Sequence, residues 1–143
     1  MCVPSEIVRD DNEATVTRVT QRCEFQWRQS LISCAGGSVS FSAAVQPIFT
    51  SHCANQGCHV GAGAKQGLNL ASGKAYANLV GVAASECTNR KRVQPSDPSA
   101  SYLIDKLLGT NLCSGSRMPK LAALPAADIG TIATWICSGA ANN

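Results

Sequence analysis

Apolar and polar residues keep two different rhythms along this chain, and the rhythm changes at Gly36-Gly37-Ser38-Val39-Ser40, a run of turn-forming residues. Before it, Ala14 to Thr20 is rich in Thr and Val, and Cys23, Phe25 and Trp27 alternate with Glu24, Gln26 and Arg28. A period of two with the apolar residues on one side predicts a half-buried strand, so residues 1–40 are expected to carry one or two strands. After the breaker the spacing turns helical. Ser42 to His52 predicts a short helix that tolerates Pro47 only in its first turn. Ala62 to Ser72 reads as a Gly-rich loop and Gly73 to Leu79 as a brief helix. Asp97-Pro98 has the chemistry of a helix start, an acidic cap before a proline that needs no N–H partner. Leu103, Ile104, Leu107 and Leu108 then form a stripe that Gly109 ends. The clearest helix opens at Pro125, carries Asp128 in its first turn and sets Ile129, Ile132, Ala133 and Ile136 on one face before Gly139.

Composition narrows the class. With 143 residues, 45% hydrophobic and 15% charged, the chain suits one domain with a modest core and is too apolar for disorder. No apolar run approaches the roughly 18 residues of a membrane span. The net charge of +3 is uneven: residues 1–40 hold four arginines against five acids, and residues 41–143 hold eight cations against four acids. That excess is too small and too dispersed for nucleic-acid binding. Arg90-Lys91-Arg92, the one basic run, reads as a solvated loop. Eight cysteines in so short a chain place it where disulfides persist, in the periplasm, at a cell surface or secreted. The opening Met1-Cys2-Val3-Pro4 lacks the pattern of a signal peptide, so the chain is expected to be mature or made without its export signal.

One cluster carries chemistry: His52-Cys53-Ala54-Asn55-Gln56-Gly57-Cys58-His59. A cysteine pair followed directly by histidine is the arrangement that attaches haem c. Two thiols add across the vinyl groups, and the histidine becomes an axial ligand of the iron. The spacing here is C-x4-C-H rather than C-x-x-C-H, which a looped-out backbone accommodates. A second axial ligand has to come from a remote segment. Met118, the one internal methionine, stands before Pro119 in an irregular loop ahead of the last helix. Its other reading is a core-filling side chain. His52 is the alternative axial candidate, though an exposed or structural role suits its position before Cys53 better. The rival for the whole cluster is a zinc site on His52, Cys53, Cys58 and His59, within a non-redox disulfide-rich binding or structural module. Such a site calls for a second close pair downstream, and Cys87, Cys113 and Cys137 are isolated. No Ser/His/Asp, paired-carboxylate or phosphate-loop constellation marks the chain as an enzyme.

Residues 41–141 resemble the cytochrome c superfamily, in particular its bacterial periplasmic monohaem branch. The likeness rests on Val45-Gln46-Pro47-Ile48-Phe49 leading into Cys53…Cys58-His59, then Gly67-Leu68-Asn69-Leu70, then Asp97-Pro98 through Ser101-Tyr102-Leu103. Met118-Pro119 and Asp128-Ile129-Gly130-Thr131-Ile132 through Trp135-Ile136 complete it. The resemblance implies a mainly α, cytochrome c-like helical haem domain over residues 41–143; residues 1–40 have no counterpart in it and are expected, from their own alternation and cysteines, to form a disulfide-tied extension of β character. It implies haem c as cofactor, Cys53 and Cys58 as thioether sites, and His59 and Met118 as iron ligands. The expected work is one-electron transfer between redox partner proteins, alone or as a subunit of a larger redox assembly. The middle helix has Cys87 and Cys113 on its flanks, which favours that pair as a disulfide and leaves Cys2, Cys23, Cys34 and Cys137 for two more. The apolar face of the extension is expected either to fold back or to meet a partner subunit or another copy.

Overall fold

The segment after the glycine breaker winds up in two pitches. In the computed structural model, which describes Cys34 and residues 36–143, Phe41–Val45 form a π turn that runs directly into α1, Gln46–His52. The Ser40 hydroxyl caps the start by accepting the Ala43 N–H at 3.2 Å. Pro47 falls in the first turn of α1, where its missing N–H costs no helical bond. Phe41, Val45 and Phe49, four residues apart, are buried along one face.

That face meets the last helix, α4, Ala126–Cys137. Ile129, Ile132, Ala133 and Ile136 are buried as their spacing predicts, and Trp135 joins them. The Phe41 ring lies 5.0 Å from Trp135 and 5.5 Å from Tyr76, centroid to centroid, tilted at 41° to the first and edge-on at 78° to the second. The indole N–H of Trp135 donates to the Ala141 carbonyl at 2.9 Å. The end of the chain then returns to the start of this unit: the Ser42 and Phe41 N–H groups donate to the carbonyl and side-chain oxygens of Asn143 at 2.8 Å each. A Cys34–Cys137 disulfide ties the same two regions.

Between these helices lie α2, Ala75–Leu79; an antiparallel hairpin of β1, Ala83–Ala84, and β2, Cys87–Lys91, whose register shifts between Ala83 and Ala84; and α3, Tyr102–Leu108. The expected mainly α, cytochrome c-like fold with its β character confined to the N-terminal extension is therefore corrected. The described residues hold four α-helices, three of them of seven residues or fewer, and their one sheet lies in the middle of the chain. Cys87-Thr88-Asn89-Arg90-Lys91 has no apolar alternation, because only Cys87 in this strand is buried, so a period of two could not reveal it. The strands expected at residues 14–20 and 23–28, the partner contact assigned to that extension, and Cys2 and Cys23 lie outside the described residues. No helix of the described residues is long and apolar enough to cross a membrane.

Two local expectations also shift. Asp97-Pro98 closes a turn instead of starting α3. The Asp97 carboxylate accepts the Ser99 hydroxyl at 2.5 Å and the Ala100 N–H at 3.0 Å, and the helix begins one turn later. Ser101 stands before it, fully buried, with its hydroxyl accepting the Gln94 N–H at 2.9 Å. The aspartate satisfies donors locally in preference to capping, as Asx residues do in turns. Arg90-Lys91-Arg92 is no solvated loop either. Arg90 pairs with Asp105, a 7% exposed residue of α3, and its guanidinium lies 5.6 Å from the centre of the Tyr102 ring.

The Asp97 turn gives a pH test. Its bonds from Ser99 and the Ala100 N–H hold the carboxyl below the usual carboxylate range. The stability they supply is present above the unfolded pKa near about 4 and is lost as pH falls through the lower folded value. Asp97→Ala should cost about 1 kcal/mol at neutral pH, the net worth of a hydrogen bond. In urea titrations its deficit should stay constant from about pH 7 to 5 and shrink as pH falls below about 4.

Candidate cofactor site

The site starts at the C-terminus of α1. Cys53 ends that helix, its N–H still bonded to the Phe49 carbonyl at 2.9 Å. The next residues form a closed loop. The Cys58 N–H donates to the Asn55 carbonyl at 3.0 Å, and the His59 N–H reaches back to the Cys53 carbonyl at 3.2 Å. Gly57 turns the loop with φ +78°, a conformation that a side chain would strain. The four residues between the cysteines are thus looped out, and His59 begins beside the residue that closes α1.

His59 is then held from the other side. Its Nδ1 lies 3.2 Å from the Leu68 carbonyl, and its own carbonyl accepts the Leu70 N–H at 2.8 Å. With Nδ1–H donated to Leu68, the lone pair is on Nε2, the tautomer a metal-ligating histidine needs. Burial is the main cause that pushes the imidazole pKa below its ordinary value, which favours the neutral form that can ligate. The Gln46 side chain fixes the same segment by donating to the Leu70 carbonyl at 3.0 Å.

Cys53 and His59 line a largely apolar cavity of about 90 Å³ that is open on one side. Its floor and walls come from segments far apart in sequence: Leu68 and Leu70 after the histidine, Leu79 of α2, Ala84 of the hairpin, and Tyr102, Leu103 and Leu107 of α3. Met118 lines it as well, from the loop between α3 and α4. Leu103 is half-buried because it faces this open space, where a closed core would have covered it.

The charges around the cavity are placed unequally. Glu86 and Lys106 form an ion pair at 2.5 Å, with their side chains 16% and 12% exposed. Arg92 has no carboxylate among the described residues. Its guanidinium donates to the Gln66 and Asn78 carbonyls at 2.7 and 2.8 Å, and to the Ser85 hydroxyl at 3.2 Å. Burial lowers its pKa from the ordinary value, yet an arginine keeps its charge in any protein environment. A fixed cation satisfied by neutral dipoles thus faces an apolar space.

Of the residues singled out from sequence, Cys53, His59 and Met118 come together on this cavity. Cys58 does not: it is exposed and outside the lining, although it adds to the burial of Cys53 in raising that thiol's pKa to about 11. His52 is exposed and lies 3.9 Å from Asp128. Arg92, Glu86 and Lys106 were not foreseen, since nothing in a basic run or a lone acid marks which charges turn inward. Among the described residues no group of three or more His, Cys, Asp or Glu side chains is placed to hold a metal ion, so zinc on the Cys–His cluster gains no support from the geometry. The expected Cys87–Cys113 disulfide is present. No family model, curated protein or solved structure matches the chain.

In protein without cofactor the thiols of Cys53 and Cys58 should differ in reactivity. At pH 8 a thiol of pKa about 11 is ionised in about one molecule in a thousand, and Cys53 is also shielded. Iodoacetamide should label Cys58 at least about tenfold faster than Cys53, as read by peptide mass mapping over time. Equal rates would refute the burial of Cys53.

Proposed function

We propose that this protein is a one-electron carrier with a covalently attached c-type haem, bound through Cys53 and Cys58 and ligated by His59 and Met118. The observation that carries the reading is the convergence of a thiol, an imidazole with its Nδ1 engaged, and a thioether on one apolar cavity, from residues 53, 59 and 118. Unlike zinc chemistry, this combination needs both the sulfur of methionine and a broad apolar wall. Haem c supplies one reversible electron at its iron when bound.

The chain's own residues would do the rest. Cys53 and Cys58 would anchor the group, with Cys53 entering from the end of α1. His59 would be oriented by Leu68, which fixes its tautomer. Met118 would raise the potential, because a soft thioether favours the reduced metal. Leu68, Leu70, Leu79 and Leu107 would exclude water, and Arg92 would add a fixed positive charge that also favours an added electron. The disulfides Cys87–Cys113 and Cys34–Cys137 are compatible with an extracellular or secreted protein. The finer assignment proposed is the periplasm or cell surface, with redox proteins as partners.

Covalent attachment is the central test. After export-competent expression the denatured protein should retain haem through acid–acetone extraction, with its mass raised by one haem. Cys58→Ala should weaken attachment, and His59→Ala should abolish the native spectrum. Extractable haem, or none, refutes the reading. Met118→Ala should keep the covalent haem but remove the sulfur-to-iron charge-transfer band of the ferric protein and lower the reduction potential. An unchanged spectrum would give the sixth position to another residue.

A further inference from the structure

We propose that the Cys87–Cys113 disulfide, seconded by the Tyr102 hydroxyl, is the positioning element that keeps Met118 at the cavity. The proposal rests on the functional reading above for the role of Met118, and on geometry alone for the latch.

The segment between α3 and α4 has no helix or strand, and most of its residues are exposed, with Leu121 fully so. It starts at Gly109 in the left-handed region, φ +72°, and does not re-enter the core until Leu124, which is 5% exposed. So long an irregular stretch has little apolar burial of its own to hold it. Its ties to the rest of the molecule converge on the hairpin and α3, the elements that form one wall of the cavity. Cys113 is bonded to Cys87, which is 3% exposed and packed beside Ala84 and Tyr102. The Cys113 N–H donates to the Tyr102 hydroxyl at 3.1 Å. Gly115 passes over the Glu86–Lys106 pair, where a Cβ would come within 3.0 Å of the Glu86 carboxylate. The Met118 N–H then donates to the Lys106 carbonyl at 2.7 Å.

Ala84, Glu86, Tyr102 and Lys106 all line the cavity. The disulfide therefore fastens the loop to the same wall that the methionine completes. It also divides the loop, so that only the residues from 113 to 118 separate a covalent tie from Met118. A shorter closed segment samples fewer arrangements. The other disulfide, Cys34–Cys137, joins the segment before Ser40 to the end of α4 and ties no residue of the methionine loop, which makes it the natural control.

The test compares haem-loaded C87S/C113S with C34S/C137S and the parent protein. The latch predicts that C87S/C113S keeps its covalent haem, loses the ferric sulfur-to-iron band and falls in reduction potential toward the Met118→Ala protein, while C34S/C137S keeps the band. A retained band and potential in C87S/C113S, or equal loss in both variants, overturns the proposal. If the parent binds no covalent haem or shows no such band, the functional reading fails on its own. The latch is then judged by amide hydrogen exchange over residues 110–118 in cofactor-free protein. Faster exchange in C87S/C113S but not in C34S/C137S upholds it, and unchanged exchange overturns it. If C87S/C113S does not fold, Tyr102→Phe removes only the hydroxyl that accepts the Cys113 N–H. Faster exchange over 110–118 in that variant sustains the latch, and parent-like exchange refutes it.

Discussion

Phe41 against Trp135 is the contact on which the rest of the described unit depends. Both rings are buried, their centroids lie 5.0 Å apart, and each belongs to a helical segment at one end of the unit. Once these ends are joined, the residues between them must return over the same core. Tyr76 adds a third ring to the contact and brings α2 with it. The hairpin and α3 then carry the chain back toward α4, and the space enclosed on the way is the cavity. The aromatic contact contributes mainly by the area it removes from water, with the tilted ring geometry a smaller addition.

The cavity is apolar because its lining residues have taken their polar business elsewhere. The Arg90–Asp105 and Lys106–Glu86 pairs neutralise their charges across the hairpin and α3, with the Tyr102 ring beneath both cations. Ordinary surface pairs add little, but these are largely covered, share the Tyr102 ring, and help fix where α3 lies on the hairpin. Arg92 is the exception. It is hydrogen-bonded only to carbonyls and a hydroxyl, so its charge is solvated by the protein but not cancelled. Such a residue both fixes the turn at Gln66 and sets the electrostatic character of the space beside it.

How the irregular parts are held matters as much as the helices. The Cys53–His59 loop is closed by a backbone bond, and His59 is fixed by Leu68. The methionine loop, by contrast, has few internal contacts and relies on ties to α3 and β2. The site is thus assembled from one loop closed on itself and one loop fastened to the hairpin and α3.

Much of the helical plan was legible in the residues themselves. The spacing of Ile129, Ile132, Ala133 and Ile136, and of Phe41, Val45 and Phe49, determines which faces are buried, since a helix puts residues three and four apart on one side. The Cys53-x4-Cys58-His59 cluster was visible as a source of ligands, and Met118 as the one internal methionine. What the sequence could not determine was the hairpin, the inward turn of Arg92, the exposure of Cys58 and the meeting of Met118 with His59. Each of these depends on contacts between segments remote in the chain. A strand with one buried residue carries no periodic signal, and a charge turns inward only where carbonyls from another segment await it. The sequence by itself determined the local faces and the available chemistry. Only the tertiary structure decided which of those groups share a cavity, because that is set by how separate segments close over one core.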